Sequence, residues 1–286
     1  MPAGSANATK FHYLRDMKAF KKVLSIAGSD SGGGAGIQAD LKTVSACGCY
    51  AMTAITAVTV QNTKGVSDVH VVPARIVGAQ IEAVLDDMGA DAVKLGMLPT
   101  EACVEEVARL LGKYRIGQVV ADPVMVATSG DRLIDERAAD AILRHIFPLA
   151  AVVTPNVPEA EFITGMKIAS EADFSEAAAR LRKLGAKAVL LKAGHFADRF
   201  LCEYLFTEEG CTTYRYERID TPNTHGTGCT LSSAVASFLA LGQALPEAVR
   251  RAEEYVHGAI AAGRDYRLGG GHGPVHHFYR FEKASD

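Results

Sequence analysis

The stretch Val23-Leu24-Ser25-Ile26-Ala27-Gly28-Ser29-Asp30-Ser31-Gly32-Gly33-Gly34-Ala35-Gly36 runs from a short apolar segment into a glycine-rich turn. An apolar run this brief, ending at a glycine, reads as a buried strand, and helical spacing takes over from about Gly34 to Cys47. Strand, tight turn and helix in that order form the repeating unit of an α/β fold, so the rest of the chain is read for more of them.

The pattern recurs. Ala51 to Val60, Ala92-Val93-Lys94-Leu95, Gln118-Val119-Val120-Ala121, Ala151-Val152-Val153-Thr154 and Ala188-Val189-Leu190-Leu191 are strand-like. Helical spacing lies between them, carried by Val77, Ile81, Val84, Leu85 and Met88, by Val104, Val107, Ala108 and Leu111, and by Asp173 to Leu184. Phe200 to Phe206 and Thr212 to Glu217, joined through Glu208-Glu209-Gly210, predict a β-hairpin. Two helices, roughly Gly228 to Leu241 and Leu245 to Ala262, follow. This alternation predicts a mainly parallel sheet covered on both faces, with ligands gathered beyond the carboxyl ends of its strands. No linker or repeat divides residues 22–286, which read as one domain, while 1–21 read as a loosely attached extension in which Met17 is a candidate start.

Bulk composition narrows the function. With 48% hydrophobic and 22% charged residues over 286 positions, the chain can bury a large core. A formal net charge of -3 argues against a nucleic-acid or membrane surface built on bulk attraction. No apolar run reaches membrane-spanning length, and the N-terminus lacks the apolar core of a secretory signal. The six cysteines show no Cys-x-x-Cys pair, which suits reduced thiols in the cytoplasm.

Four segments are candidates for chemistry. The turn from Gly28 to Gly36 is expected to leave backbone N–H groups free for a ligand, although a simple strand-to-helix turn reads equally well. Asn223-Thr224-His225-Gly226-Thr227-Gly228-Cys229-Thr230 precedes an apolar helix and would present N–H donors to transferring phosphate, or merely cap the helix. Cys229 at that helix end is expected to have a lowered pKa. Asp122-Pro123-Val124-Met125 and Thr154-Pro155-Asn156-Val157-Pro158-Glu159 put hard oxygen donors at strand ends, which suits Mg²⁺, with a strand-end turn and a helix cap as the plainer readings.

Together and in this order, these segments resemble the hydroxymethylpyrimidine/phosphomethylpyrimidine kinases of thiamine biosynthesis, a branch of the ribokinase-like superfamily. Gln61-Asn62-Thr63, Lys94-Leu95-Gly96-Met97-Leu98, Lys192-Ala193-Gly194-His195 and Gly273-Pro274-Val275-His276-His277-Phe278 extend the likeness over about residues 22–281. The resemblance implies a three-layer ribokinase-like fold and Mg·ATP-dependent phosphorylation of a hydroxymethylpyrimidine and of its monophosphate. It implies a pyrimidine pocket of Gly28, Asp40, Gln61 and Met97, and an anion hole of Gly226, Thr227 and Gly228 with Cys229 as base. It also implies nucleotide contacts from Lys192, Asn223 and Thr227, Mg²⁺ held through Asp122, Asn156 and Glu159, and a homodimer. Thr128 stands where relatives often carry lysine, which bears on the second phosphorylation. A pyridoxal kinase and a pyrimidine sensor without turnover are the competing readings; Gln61 and Met97 favour the pyrimidine, and an intact Gly226-to-Cys229 segment argues against the sensor.

Overall fold

The computed structural model describes residues 18–125, 134–194 and 199–282. Nine strands form one sheet in the order β3-β2-β1-β4-β5-β6-β7-β8-β9. β1 (Lys22–Ser29), β2 (Tyr50–Asn62), β4 (Ala92–Leu95), β5 (Val119–Ala121), β6 (Val152–Val153) and β7 (Val189–Lys192) pair in parallel. Antiparallel strands close both ends: β3 (Gly65–Val71) beside β2, and the hairpin β8 (Phe200–Phe206) and β9 (Cys211–Glu217) beside β7. The expected hairpin and parallel strands are present. β3 was not anticipated, because its Gly-Val-Ser-Asp-Val-His-Val sequence is half-exposed and offers only weak apolar alternation.

Helices cover both faces, as the buried strands require. On one side lie α1 (Gly36–Ala46), α7 (Thr227–Ala240) and α8 (Leu245–Gly263). There Val44, Val235, Phe238, Val249 and Tyr255 pack on Val23, Val120, Val152 and Leu190. On the other lie α2 (Ala74–Asp87), α3 (Glu101–Lys113), α4 (Glu136–Ala141), α5 (Val157–Thr164) and α6 (Phe174–Lys183). Val77, Ile81, Val104, Val107, Phe174 and Leu181 there meet Leu24, Val93, Val119 and Val153.

α7 is buried from Thr230 to Ala240, so it lacks a polar face. Its hydroxyls stay satisfied inside the core: Thr230 Oγ1 donates to the Gly226 carbonyl at 2.8 Å and Ser237 Oγ to the Ser233 carbonyl at 2.7 Å. Of the expected extension over 1–21, residues 1–17 lie outside the described residues, as does Thr128; Lys21 pairs with Asp91 at 3.0 Å.

Candidate active site

The carboxyl ends of β1, β4, β5, β6 and β7 open into one cavity of about 620 Å³, capped by the N-terminus of α7. Gly28, Gln61, Met97, Asp122, Asn156, Glu159, Lys192 and the run Gly226 to Cys229 all line it. Eleven of the thirteen residues expected at the site therefore come together from distant parts of the sequence; Asp40 and Asn223 do not line it.

At one end Gly28 ends the buried run of β1. A Cβ there would sit 2.7 Å from Met97 Cε, so only glycine leaves Met97 its place on the wall. The Gln61 amide lies 3.0 Å from the Thr59 hydroxyl, which is 2.7 Å from the Ser29 carbonyl. Main-chain bonds complete the mount: Gln61 N–H donates to Ser31 Oγ at 2.9 Å, and Ser31 Oγ to the Gln61 carbonyl at 2.9 Å. A thioether wall beside a fixed amide suits a flat heteroaromatic ring with polar edge groups.

The free N–H groups expected in the first glycine-rich turn are not there to bind a ligand. Asp30, almost fully buried, accepts from Gly32 N–H at 2.8 Å, Gly34 N–H at 3.0 Å and Ala35 N–H at 2.8 Å. Burial alone would raise this carboxyl, but these donors and His225 at 2.9 Å hold it below the usual range. The turn is sealed by its own aspartate.

The second glycine-rich segment opens a helix. Gly226, at φ 80°, is the N-cap of α7. Its carbonyl takes Thr230 N–H at 2.9 Å and Thr227 N–H donates back to the Thr224 carbonyl at 3.3 Å, while the next N–H groups of the first turn have no intrahelical acceptor. A Cβ on Gly228 would lie 3.4 Å from Lys192 Nζ and 3.6 Å from Asp122 Oδ2. The Lys192 ammonium thus borders the same space as the helix end, tied to Asp122 at 2.9 Å. Burial works to raise Asp122, but the charges of Lys192 and Lys94 and the Thr154 hydroxyl at 2.9 Å keep it ionised. A helix N-terminus facing an ammonium can stabilise the negative charge of a phosphoryl group.

Two expectations about this end are corrected. Burial pushes the Cys229 thiol up to about 11, outweighing the pull of Lys94, where a lowered value was expected. Asp40 is fully buried behind the cavity wall, bound to Lys94 Nζ at 2.8 and 2.9 Å, to Ser233 Oγ at 2.7 Å and to Ser25 Oγ at 2.5 Å. With every lone pair committed, it has none for a pyrimidine. Lys94 is the partner that lines the cavity, and a lysine inside a four-residue apolar strand was the signal for it.

Asn223 is likewise a structural residue. Its amide donates to the carbonyls of Gly263 at 2.8 Å and Tyr266 at 2.6 Å, fastening the end of α8. Asn156 and Glu159 form a capping box on α5, with bonds of 2.9 and 2.8 Å, and both still line the cavity. Among the described residues no group of three His, Cys, Asp or Glu could hold a metal by itself. Asp122, Asn156 and Glu159 nevertheless fit Mg²⁺ as it binds in phosphoryl-transfer sites, through one or two carboxylates, water and phosphate. Sequence reading also missed Glu203 and Glu253, both buried on the cavity wall near Lys192. Burial pushes Glu253 up to about 8, and its Oε1 has no hydrogen-bond partner among the described residues.

The family model for phosphomethylpyrimidine kinase matches residues 30–276. The chain belongs to the phosphomethylpyrimidine kinase family. It is 49% identical to the hydroxymethylpyrimidine/phosphomethylpyrimidine kinase of Rhizobium meliloti, covering 91% of this chain and 98% of that one. It is also 49% identical to a thiamine biosynthesis bifunctional protein of Geobacter sulfurreducens, of which it spans only 54%. The phosphomethylpyrimidine kinase structure from Clostridium difficile superposes with a TM-score of 0.75 at 43% identity, over 84% of this chain and 99% of that one. An ADP complex of Bacillus subtilis pyridoxal kinase gives 0.84 at 37% identity, over 91% and 98%. The fold is accordingly that of the ribokinase-like kinases.

Proposed function

We propose that the chain transfers the γ-phosphoryl group of ATP to the hydroxymethyl oxygen of 4-amino-5-hydroxymethyl-2-methylpyrimidine, and then phosphorylates the monophosphate to the diphosphate, within thiamine biosynthesis. The observation that carries this reading is the shared cavity, lined by Gln61 and Met97 from the ends of β2 and β4 and by Lys192 from β7 across the sheet, with the α7 N-terminus bordering it. The pyrimidine ring lies against Met97 with its amino edge on the Gln61 amide. Its hydroxymethyl group points to Cys229, and the triphosphate lies over Gly226 to Gly228 beside Lys192.

Phosphoryl transfer depends chiefly on positioning and on stabilising charge. Lys192 and the helix end receive the negative charge of the phosphoryl oxygens, and Asp122 holds Lys192 in place. Cys229, in its thiolate form, takes the hydroxyl proton as the new O–P bond forms and the bond from the γ-phosphorus to the bridging oxygen breaks, releasing ADP. Lys94, bracing Asp40, adds positive charge beside the thiol, which favours its thiolate. Mg²⁺, held through water by Asp122, Asn156 and Glu159, would neutralise the β- and γ-phosphates.

Residues 22–286 act as a single domain, supported by one continuous sheet from Lys22 to Glu217. Val58 and Val60 lie exposed on one face of β2, near the edge of the sheet, and such exposed apolar side chains favour a homodimer. Among the described residues no helix is long and apolar enough to cross a membrane, and six unpaired thiols suit the cytoplasm. A coupled ADP-release assay tests the assignment against pyridoxal, the alternative suggested by the pyridoxal kinase neighbours. The expected result is a kcat/KM at least tenfold higher for hydroxymethylpyrimidine than for pyridoxal, and the reverse order would assign the pocket to vitamin B6.

A further inference from the structure

The two glycine-rich segments, nearly two hundred residues apart in sequence, are fastened face to face. His225 Nε2 lies 2.9 Å from Asp30 Oδ2, and both side chains are nearly buried. The His225 ring rests on Gly34, where a Cβ would fall 2.4 Å from its Cδ2. The next residue, Gly226, lies so close that a Cβ would meet the Gly34 carbonyl oxygen at 1.8 Å. On its far side His225 N–H donates to the Gly273 carbonyl at 3.0 Å.

Each end of this clasp leads to a substrate. Asp30 adjoins Ser31, whose hydroxyl bonds Gln61 at both its N–H and its carbonyl. His225 directly precedes Gly226, the N-cap of α7. We propose that Asp30 and His225 are positioning residues that set the distance between the pyrimidine seat and the phosphate-binding helix end, so that the hydroxymethyl oxygen meets the phosphoryl group in line. The inference rests on the assignment of those two ends in the reading above.

A positioning clasp has a particular signature, because loosening it misaligns two substrates that each still bind. Gly34→Ala wedges a methyl group against the imidazole without removing a hydrogen bond, and the backbone there is not left-handed. It should lower kcat by about 10- to 100-fold, the cost of a misplacement on the order of 1 Å, while KM for pyrimidine and ATP stays within about twofold. His225→Ala should do the same. The decisive variant is the double substitution, since removing the ring takes away the severe clash and leaves the methyl group only a tight contact with Pro274 Cβ at 3.1 Å. Gly34→Ala/His225→Ala should be no slower than His225→Ala alone, with unfolding midpoints showing that all three variants are folded. Independent, multiplying losses, or losses seen in KM with kcat intact, would overturn the clasp. Absence of pyrimidine turnover by the parent protein in the same series would overturn the functional assignment with it, which keeps the two failures apart.

Discussion

Lys94 and Asp40 form a fully buried ion pair, with the ammonium 2.8 and 2.9 Å from the two carboxylate oxygens. Burial pulls the lysine down, but the Asp40 charge more than offsets it and keeps Lys94 protonated. The pair places a positive charge on the cavity wall that an isolated lysine could not carry there. Asp40→Asn should therefore act through stability, costing about 3–5 kcal/mol as a stranded buried charge does. Denaturant unfolding measures this directly. A variant of parent stability that has lost only pyrimidine affinity would return Asp40 to the substrate pocket.

Gln61 has the role that Asp40 lacks. Gln61→Ala should weaken pyrimidine binding by about 1–3 kcal/mol, the usual cost of leaving a buried polar partner unpaired. Nucleotide affinity should be unchanged, because Gln61 belongs to the end of the cavity remote from Lys192. Calorimetric titration with each ligand separates the two, and an equal loss for both would contradict the proposed orientation.

These two residues show what sequence could and could not convey. The strands, the hairpin and the long helices were legible because their apolar periods are strong and their glycine punctuation is sharp. The residues of the cavity were legible through the ordered likeness to the family's motifs, and the parallel strands bring the carboxyl ends that carry them to one edge. What could not be read is which polar group faces the cavity and which stands behind it. Asp40 and Lys94 lie 54 positions apart, and only the register of β1 against β4 decides that the lysine faces inward. Asn223 has the same ambiguity, for its amide is spent on carbonyls at the end of α8. Glu253 sits on the buried face of α8 with Val249 and Val256, so a carboxylate interrupting that face was a signal that went unread.

Glu253 makes stability depend on pH. Its ordinary value is 4.5 and burial pushes it up to about 8. The folded state therefore prefers the protonated form, and the penalty is absent below the unfolded value, grows as pH rises, and levels off above about 8. Glu253→Gln mimics the neutral form. Its stability relative to the parent should rise between pH 4.5 and 8, by on the order of a few kcal/mol. Thermal unfolding at both pH values tests this, and a difference that does not change with pH would mean that Glu253 is ionised in the folded protein.

Cys229 is a thiol at neutral pH, since burial holds it near 11. If it takes the hydroxyl proton, only its small thiolate fraction is active, and kcat/KM should climb about tenfold per pH unit from pH 6 toward 9. Cys229→Ser should lose about 10²–10⁴ in kcat, with KM for the pyrimidine little changed. Cys229→Asp should keep more activity than the serine and lose the steep alkaline rise. A flat parent profile, with both variants at the parent rate, would leave catalysis to Lys192 and the helix end alone.

The most direct test of the whole account is a mass-spectrometric time course with Mg·ATP and 4-amino-5-hydroxymethyl-2-methylpyrimidine. The account predicts that the pyrimidine gains one phosphoryl group and then a second, the monophosphate rising before the diphosphate. A protein that phosphorylates pyridoxal in a parallel reaction yet leaves the pyrimidine unmodified would contradict it.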